Sequence, residues 1–249
     1  NVAEITTSNM QAYQHFFQGE QLMNRVKYVE AQEEYRRAVA LDSTFGLAYY
    51  RLAYATSWET GAQERAKASV QNSMAHIDRI PEKERYLVRA IEAEIYQGFA
   101  AGIFVLREME KVYPNEKEML YNIGDWSYHN GDMDAAAEYL ERVLAMDPTM
   151  ERALEHLSWI YRDTRQYEKM LDVAKRYVAV AGSVEAYDLL MRSYVELKRL
   201  EEGLKTLQQA RDLFPSNFQL SGTIADVLTY KVDYNGAESE LLPLVQENQ

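Results

Sequence analysis

Pro114 and Pro148 stand 34 residues apart, Gly182 follows 34 residues later and Pro215 comes 33 after that. Helix-breaking residues at a fixed period mean that one short structural unit is being restated. Proline removes a backbone donor and holds the residue before it in extended geometry, so each one closes a unit. The same ruler carries small residues at Ala31, Gly102, Ala136, Gly203 and Ala237. An aromatic or long apolar residue stands three positions before each, at Tyr28, Phe99, Met133, Leu200 and Tyr234. In one unit Met170 replaces the small residue, behind Tyr167.

Each period reads as two amphipathic helices. Within Leu120–Pro148, Leu120, Ile123, Gly124 and Ser127 share one helical face, and Ala136, Leu140 and Val143 share another. Asn130-Gly131 and Asn235-Gly236 supply turn chemistry between the two helices of a unit. Ser8 with Gln11 and Ser216 with Gln219 have capping-box spacing, and Asn115 with Glu118 is a looser version. Glycine (11) and proline (5) are scarce, which favours helices over a strand-and-turn fold.

These residues resemble the tetratricopeptide-repeat (TPR) family. The pattern is carried by Leu120, Ile123, Gly124, Ala136, Leu140 and Pro148 in the fourth unit, and by Tyr187, Leu190, Tyr194, Leu200, Leu207, Ala210 and Pro215 in the sixth. It recurs as Gly19, Tyr28, Ala31, Tyr35 and Ala38 in the first, and as Leu154, Leu157, Tyr161, Tyr167 and Ala174 in the fifth. The resemblance implies an all-α, right-handed superhelical TPR solenoid of about seven helix-turn-helix repeats. It forms a single array over residues 1–249, with units at about 12–45, 46–82, 83–116, 117–150, 151–183, 184–217 and 218–249.

Two units depart from the pattern. The second runs to 37 residues, with Thr60-Gly61 marking a longer turn and Ala66, Val70, Met74 and Ile77 as its apolar stripe, so a local irregularity is expected there. In the last, Pro243 falls where the second helix should run and is expected to kink or fray it.

In the TPR family a second face of each first helix lines a concave groove that holds an extended peptide or helix. On this chain that face carries Tyr50, Tyr54 and Trp58, then Tyr121, Asp125, Tyr128 and His129, then Trp159 and Arg162. These nine residues are the expected groove, with the aromatics as anchors. The equivalent positions Phe16, Glu20 and Arg51 do not supply the Lys and Asn carboxylate clamp of chaperone-binding TPRs. On the outward face of the second helices, Glu33, Glu138, Asp172, Lys205 and Ser239 are polar, whereas the third unit places Phe104 beside Ile103. That break in the pattern marks Ile103 and Phe104 as an expected convex contact, such as a homodimer; the competing expectation is that the long second-unit turn folds over them.

The net charge of −12 opposes binding to nucleic acid and to anionic membrane surfaces, and no apolar run is long enough for membrane insertion. The absence of cysteine excludes disulfides and thiolate chemistry without separating cytoplasm from periplasm, and a cytoplasmic location is expected. The four histidines lack metal-ligand spacing, and no phosphate loop or catalytic constellation is present, so no metal, cofactor or enzymatic activity is expected. The chain begins at Asn and is expected to be part of a longer protein. Its opening resembles TPR segments appended to bacterial signalling proteins. The expected role is a non-enzymatic protein- or peptide-binding module, scaffold or sensory segment, with a self-assembling structural protein as the alternative.

Overall fold

The computed structural model describes residues 6–215. Among the described residues there are twelve α-helices and no strand. They are α1 (Met10–Asn24), α2 (Tyr28–Leu41), α3 (Gly46–Ser57), α4 (Gln63–Ala75), α5 (Glu82–Gln97) and α6 (Phe99–Val112), followed by α7 (Lys117–His129), α8 (Met133–Met146), α9 (Glu151–Asp163), α10 (Tyr167–Ala181), α11 (Val184–Glu196) and α12 (Leu200–Leu213). The seventh expected unit, with Pro243 and the Ser216–Gln219 pair, lies outside the described residues. The chain divides into two compact units, residues 1–153 and 154–249.

In the first unit the closest neighbours are α1 with α2, α3 with α4, α5 with α6 and α7 with α8. Each pair is a helical hairpin that packs in turn on the next. The small residues of the period are the reason they can approach. Ala12, Ala31, Ala53, Ala66, Ala90 and Ala136 are completely buried. A Cβ built on Gly124 would lie 2.8 Å from Leu140 Cγ, and one on Gly102 would lie 2.6 Å from Trp126 Cζ3. Neither position has room for a side chain, so these glycines let the neighbouring side chains pack against the helix backbone. The α7–α8 turn needs Gly131 at φ 86°, and Asp132 then caps α8 by accepting a hydrogen bond from Ala135 N at 3.1 Å.

Two local expectations change. Asn9, not Ser8, caps α1, its Oδ1 accepting from Gln11 N and Ala12 N. Asn115 does not cap α7, which starts after Glu116 without a side-chain cap, because Glu118 is turned inward to partners of opposite charge. Arg142 pairs across to Glu110 on α6 at 2.8 Å. The irregularity in the second repeat is real. There α4 stops at Ala75 and a 3-10 turn, Ile77–Arg79, carries the chain to buried Ile80. Ser69 and Ser73 fill the inner face, and Ser73 donates to the Gly46 carbonyl at 2.8 Å.

In the second unit α11 packs on both α10 and α12. Its core gathers Met191, Leu207 and Ala210, with Tyr187, Leu200 and Phe214 against them. Met170 is fully buried in the slot that small residues take elsewhere.

Candidate functional site

The repeat pattern places Tyr50, Tyr54, Tyr121 and Asp125 on a ligand-facing surface, but all four are 1–2% exposed. That surface is occupied by the first unit's own side chains. Tyr54 donates from its hydroxyl to Asp125 Oδ2 at 3.2 Å, across two repeats. Arg51, next to Tyr50 on α3, reaches Glu20 Oε2 on α1 and Glu118 Oε1 on α7, each at 2.7 Å. Glu118 also binds Arg152, whose guanidinium lies 4.0 Å from the centre of the Tyr121 ring. Tyr35 closes the other end by donating to Glu20 Oε1 at 2.6 Å.

This interior is held electrostatically. Burial alone would push the Glu118 carboxyl up, but the Arg152 and Arg51 guanidiniums and their hydrogen bonds outweigh it and hold it at about 2. Burial disfavours the two guanidinium charges, and Glu118, joined by Glu20 at Arg51, more than offsets it. For Tyr54, burial and then the Asp125 carboxylate push the phenol well above its usual value, so it stays a donor. The chain signalled this network in one way. Glu118 and Arg152 stand one 34-residue period apart, and so are opposite charges at one position of consecutive repeats.

The accessible part of the expected site in the first unit is therefore Trp58, Tyr128 and His129. Trp58 follows the last turn of α3 and His129 ends α7, yet their ring centroids are 4.7 Å apart. Phe99, the first residue of α6, stacks on Trp58 at 5.8 Å and on His129 at 5.5 Å. Tyr128 meets the His129 ring edge-on at 5.1 Å, and His129 Nε2 lies 3.5 Å from Asp125 Oδ1. Glu94, in the last turn of α5, faces the same corner. Burial first, and then the Asp125 charge, raise its carboxyl to about 7, with His129 acting in the opposite direction. The groove-face periodicity of the first helices also reaches Glu94, whereas it did not mark Phe99, which begins a second helix where neighbouring repeats meet.

On its other side Trp58 lines a surface cleft of about 460 Å³, together with Tyr28, Val29, Ala55 and the polar residues Gln32, Arg36, Glu59 and Arg65. Its wall is fixed by Gln32, which donates to the Ala55 carbonyl and accepts from Arg36.

Trp159 and Arg162 lie half-buried on α9 in the second unit, where Trp159 packs on the His156 ring at 4.6 Å. On the outward face of α6 the expected pair separates. Ile103 is a core residue, whereas Phe104 is 67% exposed and the preceding turn does not cover it. Glu33, Glu138, Asp172 and Lys205, the equivalents of Phe104, are exposed as expected.

The sequence matches the tetratricopeptide repeat model over residues 97–151 and 128–183. Among curated proteins it is 22% identical over 174 residues to the vacuolar import and degradation protein 27 of Schizosaccharomyces pombe, covering 67% of this chain and 22% of that protein. It is also 25% identical over 196 residues to the outer dynein arm-docking complex subunit 4 of Danio rerio, covering 66% of this chain and 40% of that one. The chain thus spans well under half of either relative. Among solved structures, MamA residues 41 to the end from Desulfovibrio magneticus RS-1 superposes with a TM-score of 0.60 at 23% identity, over 67% of this chain and 95% of that one. The structure of the APC/C hetero-tetramer Cut9-Hcn1 gives 0.60 at 14%, over 91% and 45%. The type IV pilus biogenesis factor PilW gives 0.58 at 16%, over 86% and 98%. At these identities the likeness is one of fold. No helix among the described residues is long and apolar enough to cross a membrane.

Proposed function

We propose that this chain, a tetratricopeptide-repeat protein, is a non-enzymatic module that binds a protein segment at the Trp58 end of its first unit. The fold is one that generally mediates protein–protein contact, and the observation that carries the reading is the Trp58 cleft. Its lining mixes the apolar Tyr28, Val29, Ala55 and Trp58 with the polar Gln32, Arg36, Glu59 and Arg65, a composition that suits one bulky side chain of a partner together with polar contacts to its backbone. The groove of the first unit is filled with its own tyrosines and ion pairs, so an incoming segment is held beside that filling. Tyr128 and His129 extend the accessible aromatic surface from Trp58.

The test is cross-linked capture from the source cell, comparing wild type with Trp58→Ala and Val29→Glu. Val29 is 72% exposed in the cleft, so its replacement blocks the cleft without disturbing the core. Loss of the same captured proteins in both variants is expected. An identical captured set from all three proteins would refute the cleft as the binding site.

A second reading, self-association through the outward face, has its own observation in Phe104, an exposed aromatic at the position where four other described repeats carry Glu33, Glu138, Asp172 and Lys205. Under it, wild type runs as a dimer in size-exclusion with light scattering and Phe104→Glu as a monomer. An unchanged mass for the variant removes this reading. A cytoplasmic setting within a bacterial signalling protein is part of the proposal, on the resemblance of the opening segment alone.

A further inference from the structure

Phe104 is the most exposed aromatic side chain among the described residues. Phe17 and Tyr96 are also exposed, but Tyr96 is already held, its hydroxyl accepting from Gln71 Nε2 at 2.8 Å and its ring lying under Lys67. Phe104 shares one helical stripe of α6 with Ala100, Arg107 and Lys111, and all four are exposed. Lys111 pairs with Glu108 at 2.6 Å, which leaves Arg107 as the charge one turn on from the ring. The outward face of α6 is therefore an aromatic knob with a basic flank.

The Trp58 cleft, in the same unit, has the opposite character. It is a recess of about 460 Å³ with Tyr28, Val29, Ala55 and Trp58 in its lining, and Val29 is exposed there. Glu59 lines it and Glu33 stands one helical turn on from Val29. Glu59 gives Oε1 to Arg65 and Glu33 gives Oε1 to Arg36, so the second oxygen of each carboxylate remains for a further donor. We propose that the Trp58 cleft of one copy receives the Phe104 side chain of a second copy, with Arg107 pairing to the acidic edge formed by Glu33 and Glu59. The inference rests on the reading of the cleft as a site for one bulky side chain, and it names the partner that supplies it. Seating the ring between Tyr28 and Trp58 takes Phe104 and Val29 out of water together. The equivalent residues Glu33, Glu138, Asp172 and Lys205 cannot fill an apolar recess, so the third repeat alone among these supplies the knob. The contact joins two different surfaces, and each copy carries both.

Sedimentation velocity on the full chain tests this with two substitutions of exposed residues, Phe104→Glu to remove the knob and Val29→Glu to block the cleft. Wild type should associate as its concentration rises, and each variant alone should associate roughly tenfold more weakly. An equimolar mixture of the two variants should form a heterodimer about tenfold more tightly than either variant pairs with itself, because Val29→Glu keeps Phe104 and Phe104→Glu keeps the cleft. Arg107→Glu should weaken wild-type association roughly threefold at low salt. A monomeric wild type, a mixture that stays monomeric, a Val29→Glu chain that associates like wild type, or no effect of Arg107→Glu at low salt would overturn the proposal. A monomeric wild type whose captured proteins are still lost with Val29→Glu would overturn the second copy as occupant and uphold the cleft as a binding site. Unchanged association together with an unchanged captured set in Val29→Glu would refute the cleft itself.

Discussion

Replacing Glu118 by Gln removes the charge on which the interior of the first unit depends. In the folded chain the Glu118 carboxyl sits at about 2 against an ordinary 4.5, and the difference is worth about 3 kcal/mol of folding stability. Removing one member of a buried ion pair generally costs ~3–5 kcal/mol, since the partner stays buried and charged. Here two partners are stranded, because Arg51 and Arg152 both lie against this carboxylate. The expected loss at pH 7 is therefore at least about 3 kcal/mol, read as a lower urea midpoint at unchanged slope. The pH dependence has a definite sign. A carboxyl whose folded value is depressed contributes its stability above the unfolded value, so wild type loses it as pH falls from about 4.5 through about 2, and Glu118→Gln shows no such loss in that window. A cost under ~1 kcal/mol, or an acid slope equal to that of wild type, would refute the argument that this network is held by charge. Replacing Glu118 by Leu with Arg51 and Arg152 by Met should recover most of the loss, because an apolar filling of similar volume removes the burial cost of all three charges.

Other perturbations have equally direct readouts. Gly124→Leu forces a side chain into Leu140, 2.8 Å from the first added atom, and should cost ~1–3 kcal/mol or more in thermal or urea unfolding; unchanged stability would contradict the observed α7–α8 packing. Asp132→Ala removes the cap on α8 and should cost ~1 kcal/mol, seen as earlier amide exchange at Ala135 and its neighbours. Glu94 is held up at about 7 by burial and by Asp125, so the folded chain keeps a proton that the unfolded chain has already released. Its ionisation costs stability as pH rises from about 4.5 to about 7, and Glu94→Gln should therefore be more stable than wild type at pH 8 and equal to it at pH 4. A variant less stable at pH 8 would show that Glu94 has a cation beside it in the free protein.

The amino-acid sequence by itself determined the helix pairs. The 34-residue spacing, the small residues Ala31, Gly102 and Ala136, and the Asn130-Gly131 turn are local or single-period signals, and helices form and pair through contacts of that range. It also singled out Phe104, because outward positions can be compared from one repeat to the next. Tertiary structure alone decided which face is open. Tyr50, Tyr54, Tyr121 and Asp125 occupy ligand-facing positions by periodicity, yet they are buried because α3 and α7, two repeats apart, lie within side-chain reach of one another. That distance follows from the packing of every intervening pair, including the irregular second repeat, and no helical periodicity encodes it. The same long-range approach gathered Trp58, Phe99 and His129 from the ends of three helices into one aromatic corner.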